Sequence, residues 1–411
     1  MNVNPIILSI PIYFLLIGLE LLIQQFSKIK YYRFNDALTN ISCGITQQLT
    51  GVFLKVLSAG VYHVLYTYAR IFDIPSNWIT WIILFIAVDF CYYWAHRMSH
   101  EINLFWGGHV VHHQSEDYNL SVALRQGSFQ VLWTFAFYLP LAIIGFETIT
   151  FVTVSALVTV YQFWIHTETI EKLGPFEWIF NTPSHHRVHH GRDPKYIDKN
   201  HAGVFIIWDK MFGTFQKEEE RPTYGITTPT NSWNPLWVNF QHYVNMFRHI
   251  KKANGLSDKL KIIFKKPGWF PEYMGGYQAP QRVEKETYQK YNTQSPASIT
   301  FYVLFQYALV LGLTSWFLFN QGSFELTAKL GIVSYIILTI VNCGVLMENR
   351  FWAYLAEILR TFLTGIVLTL YFINSSNAMI ALSLTFIYFV LSAIWLLNLR
   401  KNFNKSAPIA G

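Results

Sequence analysis

The chain has 411 residues, of which 52% are hydrophobic and 13% are charged, against about 25% charged residues in a typical soluble domain. With a mean hydropathy of +0.25, this composition excludes a disordered chain and argues against a soluble enzyme. The net charge of +7 fits the basic face of a membrane protein, so no nucleic-acid partner is needed. Cys43, Cys91 and Cys343 lie far apart and outside any CxxC, which excludes a disulfide scaffold and a thiolate metal site.

Nine apolar segments are candidate membrane spans, because a helix needs roughly 20 apolar residues to cross the bilayer core. They cover about 5–26, 44–69, 78–95, 130–146, 148–166, 299–319, 327–347, 351–372 and 378–397. The first segment has no basic region before it and no small-residue cleavage site, so we interpret it as an anchor and not as a signal peptide.

Five charged residues lie inside these segments, namely Glu20, Lys55, Asp89, Glu357 and Arg360. We expect them to be buried against another helix or to snorkel, and a functional role is the alternative.

The distribution of lysine and arginine predicts the orientation of the chain. Basic residues follow the first span at 28–33, are abundant in 167–297, and follow the last span at 400–405. One topology places all three regions in the cytoplasm, with the N-terminus outside and the C-terminus inside. The pair of segments in 130–166 then leaves and returns on the same side, either as two crossings or as a hairpin that enters one leaflet. The sequence does not decide between these two forms.

The predicted organisation has three parts. Residues 1–95 are N-terminal membrane helices, residues 96–297 are a histidine-rich catalytic region that includes the membrane hairpin 130–166, and residues 298–411 are four further apolar helices with little chemistry. Prolines, glycines and mixed charges make 268–295 a predicted linker.

Ten of the 14 histidines lie between residues 96 and 190, and most of them form three short boxes. HRMSH ends the third span, HVVHH follows it closely, and HRVHH lies further along the chain. On a helix, residues three and four positions apart share one face, so each box directs several imidazoles to one place. Neutral imidazole binds zinc, copper, iron and nickel.

Eight or nine imidazoles are too many for one ion and fit two ions that each keep an open position, which suggests oxygen activation. The predicted metal ligands are His96, His100, His109, His112, His113, His166, His186, His189 and His190. A single box alone would fit a polar helix face or a core histidine equally well, but three boxes at the same end of the spans favour a metal centre. His166 is included because its span ends where the boxes lie. We predict no metal role for His63, His185, His201, His242 and His249.

Acidic residues near the boxes are candidates to accept the second N–H of a ligating histidine. They are Glu101, Glu116, Asp117, Glu168 and Asp193, and solvated helix ends are the alternative interpretation.

The sequence has no GxGxxG, Walker loop, CxxCH or GxSxG motif, so we predict no flavin, nicotinamide or haem module and no nucleophilic triad. The electrons for oxygen chemistry must then come from a separate protein or a small reductant.

The three boxes, with the longer segments 100–126, 161–168 and 181–215 around them, resemble the fatty acid hydroxylase superfamily of membrane di-iron enzymes, which includes sterol desaturases and C4-methyl oxidases. Within it the chain looks most like the glyceryl-ether monooxygenases. That resemblance implies an all-α, polytopic membrane bundle with a histidine-rich two-metal domain on its cytoplasmic side. One position departs from the family, which tends to have Tyr where this chain has His201.

The resemblance also implies a function. The family hydroxylates the ether-linked carbon of alkylglycerol lipids with O2 and tetrahydrobiopterin, and the product collapses to a fatty aldehyde and a glycerol derivative. Carried onto this chain, the eight box histidines hold two iron ions, His166 is a ninth ligand, and Glu101 is an essential acid near the metals. The partners are a lipid from the bilayer, O2 and an external reductant, and no motif indicates the pterin-binding residues.

Two alternatives remain open from the sequence. The first is a di-iron hydroxylase or desaturase that acts on a sterol, carotenoid or fatty acyl lipid with a different electron donor. The second is a non-enzymatic metal-binding protein or a transporter. A transporter is disfavoured because the histidines cluster at one end of the spans and no paired broken helices occur.

Overall fold

The computed structural model describes residues 5–27, 29–281, 283–285, 287–373 and 377–403, and these residues form helices and loops without a β-strand. The predicted all-α fold is therefore confirmed. The α-helices of the described residues are α1 (Pro5–Phe26), α2 (Phe34–Ala69), α3 (Trp78–Glu101), α4 (Asn103–His113), α5 (Val131–Thr134), α6 (Leu139–Ile144), α7 (Thr148–Tyr161), α8 (Pro183–His189), α9 (Ile207–Met211), α10 (Pro235–Lys252), α11 (Leu256–Phe264), α12 (Ala297–Asn320), α13 (Leu326–Met347), α14 (Phe351–Phe372) and α15 (Ala378–Phe403).

Seven of these helices are long and apolar enough to cross a membrane, namely α1, α2, α3 and α12 to α15. They support the predicted multi-pass membrane protein and seven of its nine candidate spans. Three of the spans extend at least six residues beyond the prediction, and one of them is α15, which ends at Phe403 and not near residue 397. Helix α2 begins at Phe34 and not near residue 44, and α3 continues past residue 95 to Glu101, so that it carries the whole HRMSH box.

The segments 130–146 and 148–166 do not form full-length spans among the described residues. The first is broken into α5, a 3-10 turn (Phe135–Tyr138) and α6, and Pro140 lies in the first turn of α6. The second is helical only as α7, which has 14 residues and is therefore about 21 Å long, shorter than the roughly 30 Å hydrocarbon core. These lengths favour a hairpin that enters one leaflet over two crossings.

Most charged residues inside the spans are buried and hydrogen-bonded, while Lys55 is half-buried and its Nζ lies 3.4 Å from Gln48 Oε1. Glu20 of α1 accepts hydrogen bonds from the Tyr32 and Thr167 hydroxyls and from the Leu120 amide. Asp89 of α3 accepts hydrogen bonds from the amides of residues 204 and 205 and from the Trp208 indole. Both carboxylates thus fix loops of the histidine-rich region to membrane helices.

The chain separates into two compact units. One contains residues 1–231 and 236–291, and with them all three histidine boxes; the other contains residues 232–235 and 292–411. The apolar core of the first unit includes Tyr62 of α2, Leu84 and Val88 of α3 and Val154 of α7.

The second unit contains a buried ion pair and a polar network that its high hydropathy does not indicate. Glu357 and Arg360 of α14 form a buried ion pair with a shortest N–O distance of 2.5 Å. Around the pair, side chains from all four helices complete a hydrogen-bonded network, namely Tyr302, Gln306, Tyr335, Asn342, Tyr388 and Ser392. Polar groups in a membrane interior must find partners inside the protein, which explains how this charge pair is tolerated in an apolar bundle.

Candidate metal centre

The nine predicted histidine ligands lie in two adjacent buried groups. Site A consists of His96, His100, His109, His113 and His189, and site B consists of His112, His166, His186 and His190. Within each group, one ring nitrogen from every member lies within 4.8 Å of the others. The structure therefore brings the three boxes and His166 together, with five imidazoles in one group and four in the other.

Two short helices contribute to both sites. On α4, His109 and His113 are four residues apart and point into site A, while His112 points into site B. At α8 the arrangement is reversed, because His186 and His190 belong to site B and His189 belongs to site A. The spacing of HxxHH predicts one converging pair with a third imidazole aside, and the structure places that third imidazole in the neighbouring site.

Backbone carbonyls fix the orientation of four of the rings. The Nδ1 atoms of His96, His112, His166 and His189 donate to the carbonyls of His201 (2.7 Å), Arg125 (2.9 Å), Gln162 (2.7 Å) and Lys199 (2.9 Å). A neutral imidazole has one N–H and one acceptor nitrogen, so each of these rings presents the bare lone pair of Nε2 to the site. That tautomer is the one a metal ligand requires.

The contact between His112 and His166 tests whether a metal ion fits site B. Their Nε2 atoms are 3.1 Å apart, and both carry lone pairs because both Nδ1 atoms donate to carbonyls. Burial lowers the pKa of His112 to about 4 and that of His166 well below its usual value, so a shared proton is disfavoured near neutral pH. A cation between the two nitrogens removes the repulsion, and the donor set therefore fits a metal.

Site A also has inward nitrogens that need a partner. The Nε2 atoms of His100 and His189 are buried and have no hydrogen-bond partner among the described residues, although such an orphaned atom costs about 1–3 kcal/mol. Burial, with neighbouring imidazoles as a further cause, also holds the pKa values of His109, His113 and His189 well below the usual range. These rings are neutral near pH 7 and can act as ligands.

Two buried arginines, one within the third box and one in the loop after the second box, stabilise the positions of these boxes. Arg187 of α8 has a fully buried side chain; it forms two 2.8 Å contacts with the Glu218 carboxylate and donates to the carbonyls of Thr167 and Ile170. Arg125, whose carbonyl orients His112, donates from its side chain to the Val111 carbonyl of α4. The third box is thereby tied to the segment after His166, and the second box to the loop that follows it.

The position of α4 depends on a close backbone approach. A Cβ atom added at Gly127 would lie 1.8 Å from the Gly108 carbonyl oxygen of α4. Because α4 supplies ligands to both sites, we expect Gly127→Ala to displace this helix and to lower the metal content of both. Gly60→Ala is the control, since an added Cβ there meets nothing within 4 Å. Elemental analysis of the two purified variants measures the effect, and full metal content in Gly127→Ala would contradict it.

The carboxylates that we expected to accept the second N–H of the ligating histidines mostly bond elsewhere, and backbone carbonyls accept from several of these rings instead. Glu116 and Asp117 bond with Tyr288 and Lys290, while Glu168 bonds with Tyr224. Asp193 accepts from the amide of residue 223. A carboxylate that the sequence reasoning missed, Asp198, lies 3.3 Å from His100 Nδ1 and 2.6 Å from Lys266 Nζ. Its backbone has a positive φ of 57°, which is uncommon for a residue other than glycine and is visible only in the structure.

Glu101 is the last residue of α3 and accepts a 3.2 Å hydrogen bond from Arg97 Nε. Its side chain is 38% exposed, and it is not among the histidine groups. The acidic role that the resemblance gives it therefore remains a proposal.

The remaining histidines lie outside both groups. His185 packs against the Phe215 ring, and His63 and His242 bond with Thr148 and Asn103. His201 is nevertheless close to site A. Its ring is fully buried, and its centroid lies 5.0 Å from that of the His100 ring. Its backbone carbonyl accepts the hydrogen bond that orients His96. No pattern in the sequence predicts this contact.

A cavity of about 790 Å³, lined by both apolar and polar side chains, adjoins the metal centre. Four of the nine histidines line it, His100, His113, His189 and His190, and Trp106, Asn245, Lys266 and Gln278 are among its other lining residues. A small molecule in this cavity would therefore contact the ligands of both sites.

Comparisons with known proteins agree with this site. The fatty acid hydroxylase family model matches residues 81–214, a range that contains all nine histidines. Alkylglycerol monooxygenase of Homo sapiens is 41% identical over 362 residues, which cover 85% of this chain and 79% of the human protein. The chain belongs to the alkylglycerol monooxygenase family. The members from Xenopus tropicalis and Danio rerio are 39% and 37% identical, over 85% and 80% of this chain and 79% and 74% of their own lengths. No solved structure gives a significant match.

Proposed function

We propose that this protein is a membrane di-iron monooxygenase that hydroxylates the ether-linked carbon of alkylglycerol lipids. Membership of the alkylglycerol monooxygenase family supports the substrate class. The observation that carries the proposal is the pair of adjacent sites built from five and four neutral imidazoles. Two such sites at the end of a membrane helix suit oxygen chemistry on a lipid.

The nitrogen distances in site B fit imidazoles that would share one metal ion. Two nitrogen ligands about 2.1 Å from one ion lie about 3.0–3.4 Å apart. The Nε2 atom of His112 lies 3.1 Å from that of His166 and 3.0 Å from that of His190. Neutral imidazole is a suitable ligand for iron.

The reaction balances with one molecule of O2 and a two-electron reductant. One oxygen atom enters the C–H bond beside the ether oxygen, and the other leaves as water with two electrons and two protons. Tetrahydrobiopterin supplies these electrons in our proposal and leaves as a dihydropterin. The hydroxylated carbon is a hemiacetal, which breaks its bond to the glycerol oxygen and gives a fatty aldehyde. Bound at the two sites, the iron ions supply the activation of oxygen.

The chain itself contributes positioning and the exclusion of water. His96 and His100 lie in the last two turns of α3, a candidate membrane span, so the metal centre lies where a span ends. An alkyl chain in the bilayer can reach this place while its glycerol head remains near the polar region. We place the centre on the cytoplasmic side, because the basic residues of 167–297 follow the positive-inside rule there.

Glu101 is the proposed acid near the metals, and Glu101→Gln tests this role. The substitution keeps the hydrogen bond to Arg97 and removes the charge. We expect turnover to fall by about 10²-fold while iron content changes little, as measured by aldehyde formation and elemental analysis. Glu171→Gln is the matched control, because Glu171 is 75% exposed and paired with Arg221. Unchanged turnover in Glu101→Gln would reduce Glu101 to a surface residue.

The function is tested with the purified, iron-loaded protein, O2 and tetrahydrobiopterin. We expect fatty aldehyde from an alkylglycerol and none from the ester-linked acylglycerol of the same chain length. Omitting the pterin should stop repeated turnover. Oxidation of a sterol or of the acyl chain, with no aldehyde from the ether, would overturn the proposed substrate and favour another lipid hydroxylase of the superfamily.

A further inference from the structure

We propose that the 790 Å³ cavity beside the metal centre is the binding site of the small, water-soluble reductant, and that the lipid reaches the metals by a different route. The inference rests on the proposed function and extends it, since no sequence motif indicates where a reductant binds. A volume of this size lies within the roughly 300–1,000 Å³ of typical small-molecule sites. We call this space the reductant cavity and define it by His100, Trp106, His113, Asn245, Lys266 and Gln278.

The walls of the reductant cavity come almost entirely from parts of the chain outside the membrane spans. They are contributed by α4, α10 and the loops around 190–198, 225–228 and 266–288. Of the seven candidate spans, only α3 contributes, through His100 in its last turn. In this assignment the reductant enters from water, whereas the lipid comes from the bilayer.

The cavity reaches the ligands of both metal sites. His100, His113 and His189 belong to site A and His190 belongs to site B, and all four line the cavity. A small molecule bound here would deliver electrons by contact with the centre. A protein electron carrier would not need a cavity of this volume next to the metal ligands, so the cavity favours a small reductant.

The side chains of the cavity suit a flat ring with hydrogen-bonding edges. The Trp106 ring lies 4.9 Å from the His100 ring and 5.4 Å from the His113 ring, between centroids, and offers an aromatic face for stacking. The amides of Asn245 and Gln278 can each both donate and accept. Aromatic faces combined with amide groups are the features that recognise a heterocycle such as a reduced pterin.

The same side chains disfavour an alkyl chain. Lys266 and Asp198 form a 2.6 Å ion pair on the cavity wall, and an apolar tail lying against them would remove water from two charges. Burying polar groups without new partners costs several kcal/mol. We therefore assign the cavity to the reductant and not to the lipid tail.

The variant Asn245→Trp tests this assignment because it fills the cavity from α10 without touching a histidine ligand. Arg248→Trp is the matched control, since Arg248 lies three residues further along the same helix, is exposed and does not line the cavity. Binding of tetrahydrobiopterin to the iron-loaded proteins is measured by anaerobic equilibrium dialysis, and iron by elemental analysis. In a second assay each protein is first reduced with dithionite and then given alkylglycerol and O2 in the absence of pterin. The aldehyde formed in a single turnover is measured.

We expect at least a tenfold weaker affinity for tetrahydrobiopterin in Asn245→Trp, wild-type affinity in Arg248→Trp, and the same iron content in both. The single-turnover yield of the dithionite-reduced Asn245→Trp should equal that of the wild type. Wild-type pterin affinity in Asn245→Trp, or no pterin binding by the wild type, would overturn the assignment, as would loss of the single-turnover aldehyde from an iron-replete Asn245→Trp. If the dithionite-reduced wild type makes no aldehyde, the proposed ether-lipid function is wrong. The dialysis then still tests whether the reductant cavity binds tetrahydrobiopterin.

Discussion

Replacing His112 or His186 with alanine is expected to abolish aldehyde formation and to remove the metal from site B. Each residue is one of only four imidazoles in that group, and His112 Nε2 lies within 3.1 Å of both His166 and His190. Losing one of four ligands leaves three neutral donors, and the other buried nitrogens lose the cation that separates their lone pairs. Elemental analysis and aldehyde formation, measured on the same preparation, give both effects.

The control for these variants is His185→Ala. His185 directly precedes His186 and is also buried, but it lies outside both metal groups. We expect His185→Ala to keep both metals and at least a large part of the activity. Full metal content and activity in either His112→Ala or His186→Ala would show that the ligand assignment of site B is wrong.

The substitution Arg187→Met should destabilise the protein by about 3–5 kcal/mol, since it removes one partner of a buried ion pair. The side chains of Arg187 and Glu218 are 0% and 6% exposed, and the variant leaves the Glu218 carboxylate and the carbonyls of Thr167 and Ile170 with fewer donors. Methionine keeps much of the side-chain volume, so the effect reports the charge and hydrogen bonds. Thermal unfolding of the purified protein in detergent measures the loss.

A matched control exists on the same carboxylate. Arg221 also contacts Glu218, at 3.0 Å, but its side chain is 41% exposed, so Arg221→Met should cost no more than about 1 kcal/mol. Adding Glu218→Gln to Arg187→Met should recover part of the lost stability, because the uncompensated buried charge is removed. An unfolding temperature of Arg187→Met equal to that of Arg221→Met would contradict the role given to this pair.

Hydropathy predicted the membrane helices well where the apolar pattern was continuous. Helix α14 has the predicted bounds, and α1 ends at Phe26 as expected. The first turns of α2 were not predicted because residues 34–43 are rich in polar side chains. The fold buries several of these side chains and pairs them by hydrogen bonds, such as the one that Asn40 donates to Asp36. For the segment 130–146, apolar content alone does not distinguish a span from a hairpin, because it does not reveal the interruption of the helix near Pro140.

The composition of the metal centre was predictable from sequence, but its division into two sites was not. Helical spacing identifies His109, His112 and His113 as neighbours. The assignment of His112 to site B depends on where α8 and His166 lie, which is a tertiary arrangement that local spacing does not encode. Asp198 and the carbonyls that orient the rings were missed for the same reason, since the acceptors that face each ring depend on the tertiary arrangement.

Native mass spectrometry of the iron-loaded protein tests the two-site centre most directly. We predict a mass increase of two iron ions per wild-type chain, and of one ion for His112→Ala, since site A keeps all five of its imidazoles. Binding of a single iron by the wild type, or of two irons by His112→Ala, would contradict a centre in which five and four histidines hold separate ions.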